Sequence, residues 1–259
     1  MYILFTDETN LRASSAVKFF AYGGVFLDMS RLADLHRRIE AIRSHAGYQP
    51  GDELKFDTRA RPPHVTLDMS TEAKNQVLTA AAALNCRFIA CITHHEIAKT
   101  KSEHDLVTYG ANTVISGFHR FLSNVDDQGI CIVDRFSNST EYKYLAEKFS
   151  TGLTFQDGRS LRLDRIPLFA ASCIGASHGA ALVDVVLGAF RYCINTPKNH
   201  SAAKKMMATL AQVLWSRDGR FLEHGIVLRP TKLRHSPYKA EYDALVEQLR
   251  SLVPASTAT

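Results

Sequence analysis

Between Gly179 and Phe190 the chain is apolar at every position but one, Asp184, which is flanked by Leu182, Val183, Val185, Val186 and Leu187. Such a run predicts a helix over 177–194 that buries most of its surface, so a carboxylate on most of its faces would be partly buried as well. An isolated buried carboxylate costs several kcal/mol or gives up its charge. The fold must therefore bring a cation to Asp184, either a metal ion or an arginine such as Arg191, unless the residue emerges on the polar side of its helix. The run is also too interrupted for a membrane span, which needs roughly 18 uncharged residues.

The rest of the chain supplies a sheet for that helix to cover. Residues 2–6 and 17–27 are rich in aromatic and β-branched side chains and predict two strands paired as a hairpin, with Gly23 and Gly24 marking a kink, a bulge or a close backbone approach. Asp7 then falls at a strand end. Leu32, Leu35, Ile39 and Ile42 recur at helical spacing after a capping Ser30. Further helices are expected from Ser70 or Thr71 to Leu84, near 105–122, 141–149, 202–215 and 238–252, and further strands at 87–93, 129–133 and near 165–171. A hairpin followed by alternating strands and helices indicates an α/β fold, with a mixed sheet covered by helices on both faces.

At 259 residues, 46% hydrophobic and 22% charged, the chain has the profile of an ordinary soluble protein. We expect an α/β domain over 1–200 with a helical, basic C-terminal extension over 201–259 packed on it. The chain meets Asp7 and Glu8 before any basic segment or cleavage site, so no signal peptide is read and a cytoplasmic location is expected. The five cysteines form no CxxC pair and read mostly as reduced core residues. Net charge is +5, and residues 201–250 hold nine Lys/Arg against five Asp/Glu. That excess suits an anionic partner such as a nucleic acid backbone, DNA or RNA, although it also suits plain solubility.

Four acidic residues depart from their surroundings: Asp7 in Phe-Thr-Asp-Glu-Thr, Glu53 in Glu-Leu-Lys-Phe, Asp134 in Ile-Val-Asp-Arg-Phe, and Asp184. Asp7 and Asp134 end apolar strands, and ligands of open α/β sheets bind beyond the carboxyl ends of strands. Hard divalent ions take oxygen ligands, and three or four carboxylates can hold two Mg²⁺ or Mn²⁺ ions about 3.5 to 4 Å apart. Such a pair suits hydrolysis of a phosphodiester. Beside these groups, Lys55 could orient or help deprotonate the attacking water, and Arg135 could clamp a phosphate. Glu8 alternates to the other side of the strand from Asp7 and ranks as a spare ligand. Lys204, Lys205, Arg229, Lys232 and Arg234 are candidates for nonspecific contacts to a nucleic acid backbone.

Asp7-Glu8, Tyr22-Gly23-Gly24, Glu53-Leu54-Lys55-Phe56, Val133-Asp134-Arg135 and the Asp-x-x-x-Gly-Ala of Asp184 to Ala189, in this order, resemble the domain of unknown function 3800 group. The resemblance spans about residues 2–195. It implies a ribonuclease H-like fold and a metal-dependent nuclease with Asp7, Glu53, Asp134 and Asp184 as its acidic site. Where that group carries Gln-Leu-Ala before the last acidic position, this chain has Ala181, Leu182 and Val183.

Other motifs point elsewhere. Gly175-Ala176-Ser177-His178-Gly179 matches the Gly-x-Ser-x-Gly elbow of serine hydrolases, with Asp218 and His224 or His235 as downstream partners, although Ser177 also reads as a helix cap. Glu53-x-Lys55 with an upstream Asp28 resembles the site of restriction-type endonucleases. Cys91, His94 and His95 suggest zinc only faintly, because the spacing partners are missing. A protein that keeps this fold and binds nucleic acid without cutting it is the remaining alternative.

Overall fold

The computed structural model describes residues 1–9, 11, 17–135, 141–155, 158–195, 201–230 and 237–253. In chain order the elements are β1 (Tyr2–Thr9), β2 (Phe19–Asp28), α1 (Leu32–His45), α2 (Leu67–Ala83), β3 (Arg87–His94), α3 (His95–Ala98), α4 (Glu103–Asn124) and β4 (Gly129–Asp134). They continue with α5 (Glu141–Ser150), β5 (Leu153–Thr154), β6 (Ser160–Leu161), β7 (Leu168–Ser172), α6 (His178–Asn195), α7 (Ser201–Ala211), β8 (Ile226–Arg229) and α8 (Lys239–Leu252).

Six strands form one mixed sheet in the order β7-β4-β1-β2-β3-β8. Strand β2 runs antiparallel to β1 and β3, whereas β1 and β4, β4 and β7, and β3 and β8 pair in parallel. The carboxyl ends of β1 and β4 therefore lie at the same edge of the sheet. Strand alternation divides the core: Ile3 and Phe5 of β1 join α1, α2, α6, α7 and α8 on one face, while Leu4 joins α4 and α5 on the other. The central β2 is buried along almost its whole length, which is why it reads as a continuous apolar run rather than an alternating one. This is the predicted α/β architecture, a mixed sheet with helices on both faces, and it is consistent with a ribonuclease H-like fold.

The glycine pair in β2 has a packing cause. A Cβ on Gly23 would lie 2.7 Å from Leu187 of α6, and one on Gly24 would lie 2.8 Å from Val114 of α4. Each glycine lets the helix on its own face approach the sheet. Helix starts follow their caps: Thr66 accepts from the Met69 N–H at the head of α2, and Ser102 forms a capping box with Asp105 at the head of α4. Helix α2 thus begins a turn earlier than the apolar spacing alone indicates.

The segment after residue 200 differs from the helical extension expected of it. Helices α7 and α8 are present, but between them Ile226–Arg229 adds an edge strand to the main sheet, with Cys91 opposite Val227. Ile226 and Val227 are fully buried, as are Met207 and Leu210 of α7. The segment is part of the sheet and of the same core, not only a layer on its surface. Gly225-Ile-Val-Leu-Arg is short enough for its strand character to be lost between two amphipathic helices. Cys86, Cys91, Cys131 and Cys193 are buried and free, and Cys173 is exposed. Among the described residues, no helix is long and apolar enough to cross a membrane.

Candidate metal centre

Parallel pairing of β1 with β4 sets Phe5 opposite Ile132. Continuing that register by two residues brings Asp7 beside Asp134 at the carboxyl edge of the sheet. One carboxylate oxygen from each of Asp7, Glu8 and Asp134 lies within 4.8 Å of the other two. Glu8, ranked as a spare because strand alternation directs it away from Asp7, is therefore a full member of the group. Its side chain is one methylene longer, and β1 has only Thr9 beyond it.

Asp184 approaches from the helix that covers this end of β1. Helix α6 lies against β1 so closely that a Cβ on Gly179 would fall 2.3 Å from the Phe5 ring. The Asp184 carboxylate accepts the backbone N–H of Phe56 at 2.6 Å. No arginine pairs with it among the described ion pairs, and Arg191 instead stacks over the Phe56 ring, 6.0 Å from its centre. A Cβ on Gly188 would lie 2.4 Å from Phe56. Asp184 and Gly188 are one turn apart on one helix face, and both receive residue 56, which gives the spacing in Asp-x-x-x-Gly a physical reason. The loop before α2 is anchored on either side of Lys55 by buried Leu54 and by Phe56. Lys74 of α2 completes the clamp, donating to the Phe56 carbonyl at 3.1 Å with its ammonium 5.1 Å from the ring centre.

Burial raises the pKa of Asp7 well above the ordinary carboxylate value, and the charges of Glu8, Asp134 and Asp184 push it further in the same direction. Burial, helped by Asp134, brings Glu8 to about 7. Asp134 is raised by burial and by Asp184, against the Arg135 N–H and Lys55, which favour its charged form. Asp184 is raised by burial against the Phe56 N–H, Lys55 and Arg191. The Lys55 pKa is raised by its hydrogen bond to Glu53, and Asp184 and Asp7 add to the rise. Asp7, Glu8, Asp134 and Asp184 thus gather four carboxyl groups in a half-buried space within reach of the Lys55 charge, a donor set that suits hard divalent ions.

The remaining expected residues are placed as follows. Glu53 pairs with Lys55, Oε2 to Nζ 2.8 Å, and is not one of the three mutually close carboxylates Asp7, Glu8 and Asp134. Arg135 is exposed directly after Asp134. Lys204 and Lys205 are exposed on α7, and Arg229 is engaged by Glu223 at 3.0 Å. Lys232 and Arg234 lie outside the described residues.

The rival constellations separate. Ser177 accepts the Gly179 N–H at 3.0 Å at the head of α6, the work of a helix cap. Asp218 and His224 precede β8, which β2 and β3 separate from β1, roughly 14 Å at about 4.8 Å per strand. His235 lies outside the described residues. The serine-hydrolase arrangement is therefore not assembled by these partners. Asp28 pairs with Tyr2 at the opposite end of β1 from Asp7 and caps Ser30, so it shares no site with Glu53. His94 accepts the Glu96 N–H through Nδ1 and faces Glu241 through Nε2 at 3.3 Å, a packing role at a strand end.

Sequence reasoning missed the Phe56 N–H and Lys74. A backbone donor leaves no mark in composition, and Lys74 reads as one more polar residue on an amphipathic helix. No protein-family model and no curated protein matches this chain.

Proposed function

We propose that the chain is a metal-dependent phosphodiester hydrolase acting on DNA or RNA with two divalent ions, Mg²⁺ or Mn²⁺. The observation that carries this reading is the meeting of Asp7, Glu8 and Asp134 within 4.8 Å at the carboxyl edge of the sheet, with Asp184 close enough to raise the pKa of Asp7. The reading agrees with what the resemblance to the domain of unknown function 3800 group implies.

In this reading Asp7, Glu8 and Asp134 hold the ions on the sheet side and Asp184 holds them from the helix. Bound ions would supply Lewis-acid stabilisation of the phosphoryl oxygens and a hydroxide-like water near neutral pH. The Phe56 N–H keeps Asp184 aimed and favours its charged form. Lys55, steadied by Glu53, offers an ammonium to an equatorial phosphate oxygen or to the water. Arg135, exposed beside Asp134, is placed to engage a neighbouring phosphate.

The test is incubation of labelled single- and double-stranded DNA and RNA with the protein in Mg²⁺, in Mn²⁺ and in chelator. Cleavage in metal, lost in chelator and reduced roughly a hundredfold or more in Asp134→Asn, is the expected result. Retained binding with no cutting under any condition would make the protein a nucleic-acid binder and end the hydrolase reading.

A further inference from the structure

Helix α5 buries one side and leaves the other in water. Tyr144, Leu145 and Lys148 are buried, and the Tyr144 hydroxyl donates to Asn112 at 2.7 Å. The outer side nevertheless carries two large rings, Tyr142 at 70% exposure and Phe149 at 62%. They stand two helical turns apart and so share one face, about 10.5 Å from each other along the axis. Neither ring belongs to the core on either side of the sheet, so folding does not call for them.

A cation stands next to each ring. Lys143 is exposed beside Tyr142, and Arg162 donates to the Ser150 carbonyl directly after Phe149. The exposed carboxylate of the helix, Glu147, is met by Lys148 at 2.7 Å. At the head of α5 the ringed face opens on a hollow of about 420 Å³ whose lining includes Tyr142, Arg135 and Ser172. Ser172 also lines the narrow cleft that holds Asp134, its register partner, so the face leads away from the carboxylate cluster.

Exposed rings flanked by cations suit a ligand with flat apolar faces spaced along an anionic chain, which describes a single strand of nucleic acid. In a duplex those faces are stacked on one another, and only the phosphates are open to contact. Between the rings the outer face carries Ala146 and no larger aliphatic side chain, which leaves little to insert into a bilayer or a protein pocket. We propose that the outer face of α5 is a stacking track for single-stranded nucleic acid, carrying the strand away from the phosphate presented to Asp7 and Asp134. Tyr142 and Phe149 stack on bases of any kind, while Arg135, Lys143 and Arg162 follow the backbone. The assignment rests on the proposed nuclease reading and narrows its substrate to single strands, but its test reads binding rather than cutting.

A fluorescein-labelled dT dodecamer and a labelled duplex of the same length are titrated with the full-length protein in chelator, so that neither cutting nor metal bridging contributes. The single strand is expected to bind about tenfold more tightly than the duplex. Tyr142→Ala and Phe149→Ala are each expected to weaken the single strand by about tenfold and to leave the duplex unchanged, with folding checked by thermal melting. Tyr142→Phe, which keeps the ring, is expected to bind as the wild type does. Equal affinity for the two forms, or single-strand binding unchanged in either alanine variant, would overturn the track. So would self-association in sedimentation, or adhesion to phosphatidylserine vesicles, that is lost in Phe149→Ala while single-strand binding persists. Ring-dependent binding of single strands by a protein that cleaves nothing in metal would remove the hydrolase reading and leave the track standing. Metal-dependent cleavage that needs neither ring would do the reverse.

Discussion

The backbone N–H of Phe56 meets the carboxylate of Asp184 at 2.6 Å, joining two residues 128 positions apart. Through this bond the loop that carries Glu53 and Lys55 is attached to the helix that carries Asp184. The arrangement needs Gly188, because Phe56 occupies the space a side chain there would fill.

Gly188→Ala should therefore push Phe56 off α6. Overpacking of this kind costs about 1 to 3 kcal/mol. Urea denaturation should register that loss, and titration calorimetry should show weaker Mn²⁺ binding as Asp184 loses its donor. Unchanged Mn²⁺ affinity would mean that the Phe56 bond does not position Asp184.

Lys74 distinguishes stability from positioning. Burial lowers its pKa, so its ammonium is held at a cost, and Met of similar volume removes that cost. Lys74→Met should change the unfolding free energy by less than about 1.5 kcal/mol, while Mn²⁺ affinity falls severalfold because the Phe56 carbonyl is released. Lys74→Arg should recover part of the affinity. Loss of stability without loss of affinity would show Lys74 to be a purely structural residue.

The carboxylate cluster predicts the pH dependence of the metal-free protein. Glu8 rises from 4.5 to about 7 on folding, so the folded state keeps a proton that the unfolded chain releases. Its contribution is full below pH 4.5 and is lost as pH rises through about 7. Asp7, Asp134 and Asp184 are raised too and act in the same direction. In chelator the melting temperature should fall between about pH 5 and about 7.5. Glu8→Gln should flatten that fall and Mn²⁺ should abolish it. A melting temperature that stays level in chelator would contradict the raised carboxyl groups.

Ser177→Ala removes the hydroxyl that receives the Gly179 N–H. The expected cost is about 1 kcal/mol of stability, read from the urea midpoint. Nuclease activity should persist, and an ester substrate should be turned over no differently by variant and wild type. Loss of esterase activity on this substitution would reinstate Ser177 as a nucleophile.

Strand β8 tests whether the chain can be cut at residue 200. Ile226 is fully buried against the first core face. Ile226→Ala should cost about 2 to 5 kcal/mol, and a chain ending at residue 200 should lack a cooperative thermal transition. A cooperatively folded 1–200 fragment would restore the extension to a separate layer.

Much of this molecule could be read from local pattern. Strand-like runs ending at Asp7 and Asp134, the apolar helix around Asp184 and the glycine pair at Gly23 and Gly24 all leave periodic or compositional marks, because each residue's burial is set by its own element. The mixed sheet with helices on both faces follows from the order of those elements. Residues 226–229 escaped because a four-residue edge strand has too little pattern to stand out between two helices.

What depends on contacts between distant segments was not legible in this way. Strand alternation ranked Glu8 as a spare, but the end of a strand and the reach of a side chain bring it beside Asp7 and Asp134. Phe56 serves through its backbone, which every residue possesses. Linear order conveys which side chains an element will bury. Which carboxylates meet, and which are left without a partner, depends on how strands register and helices seat, and that is settled only when the whole sheet has closed.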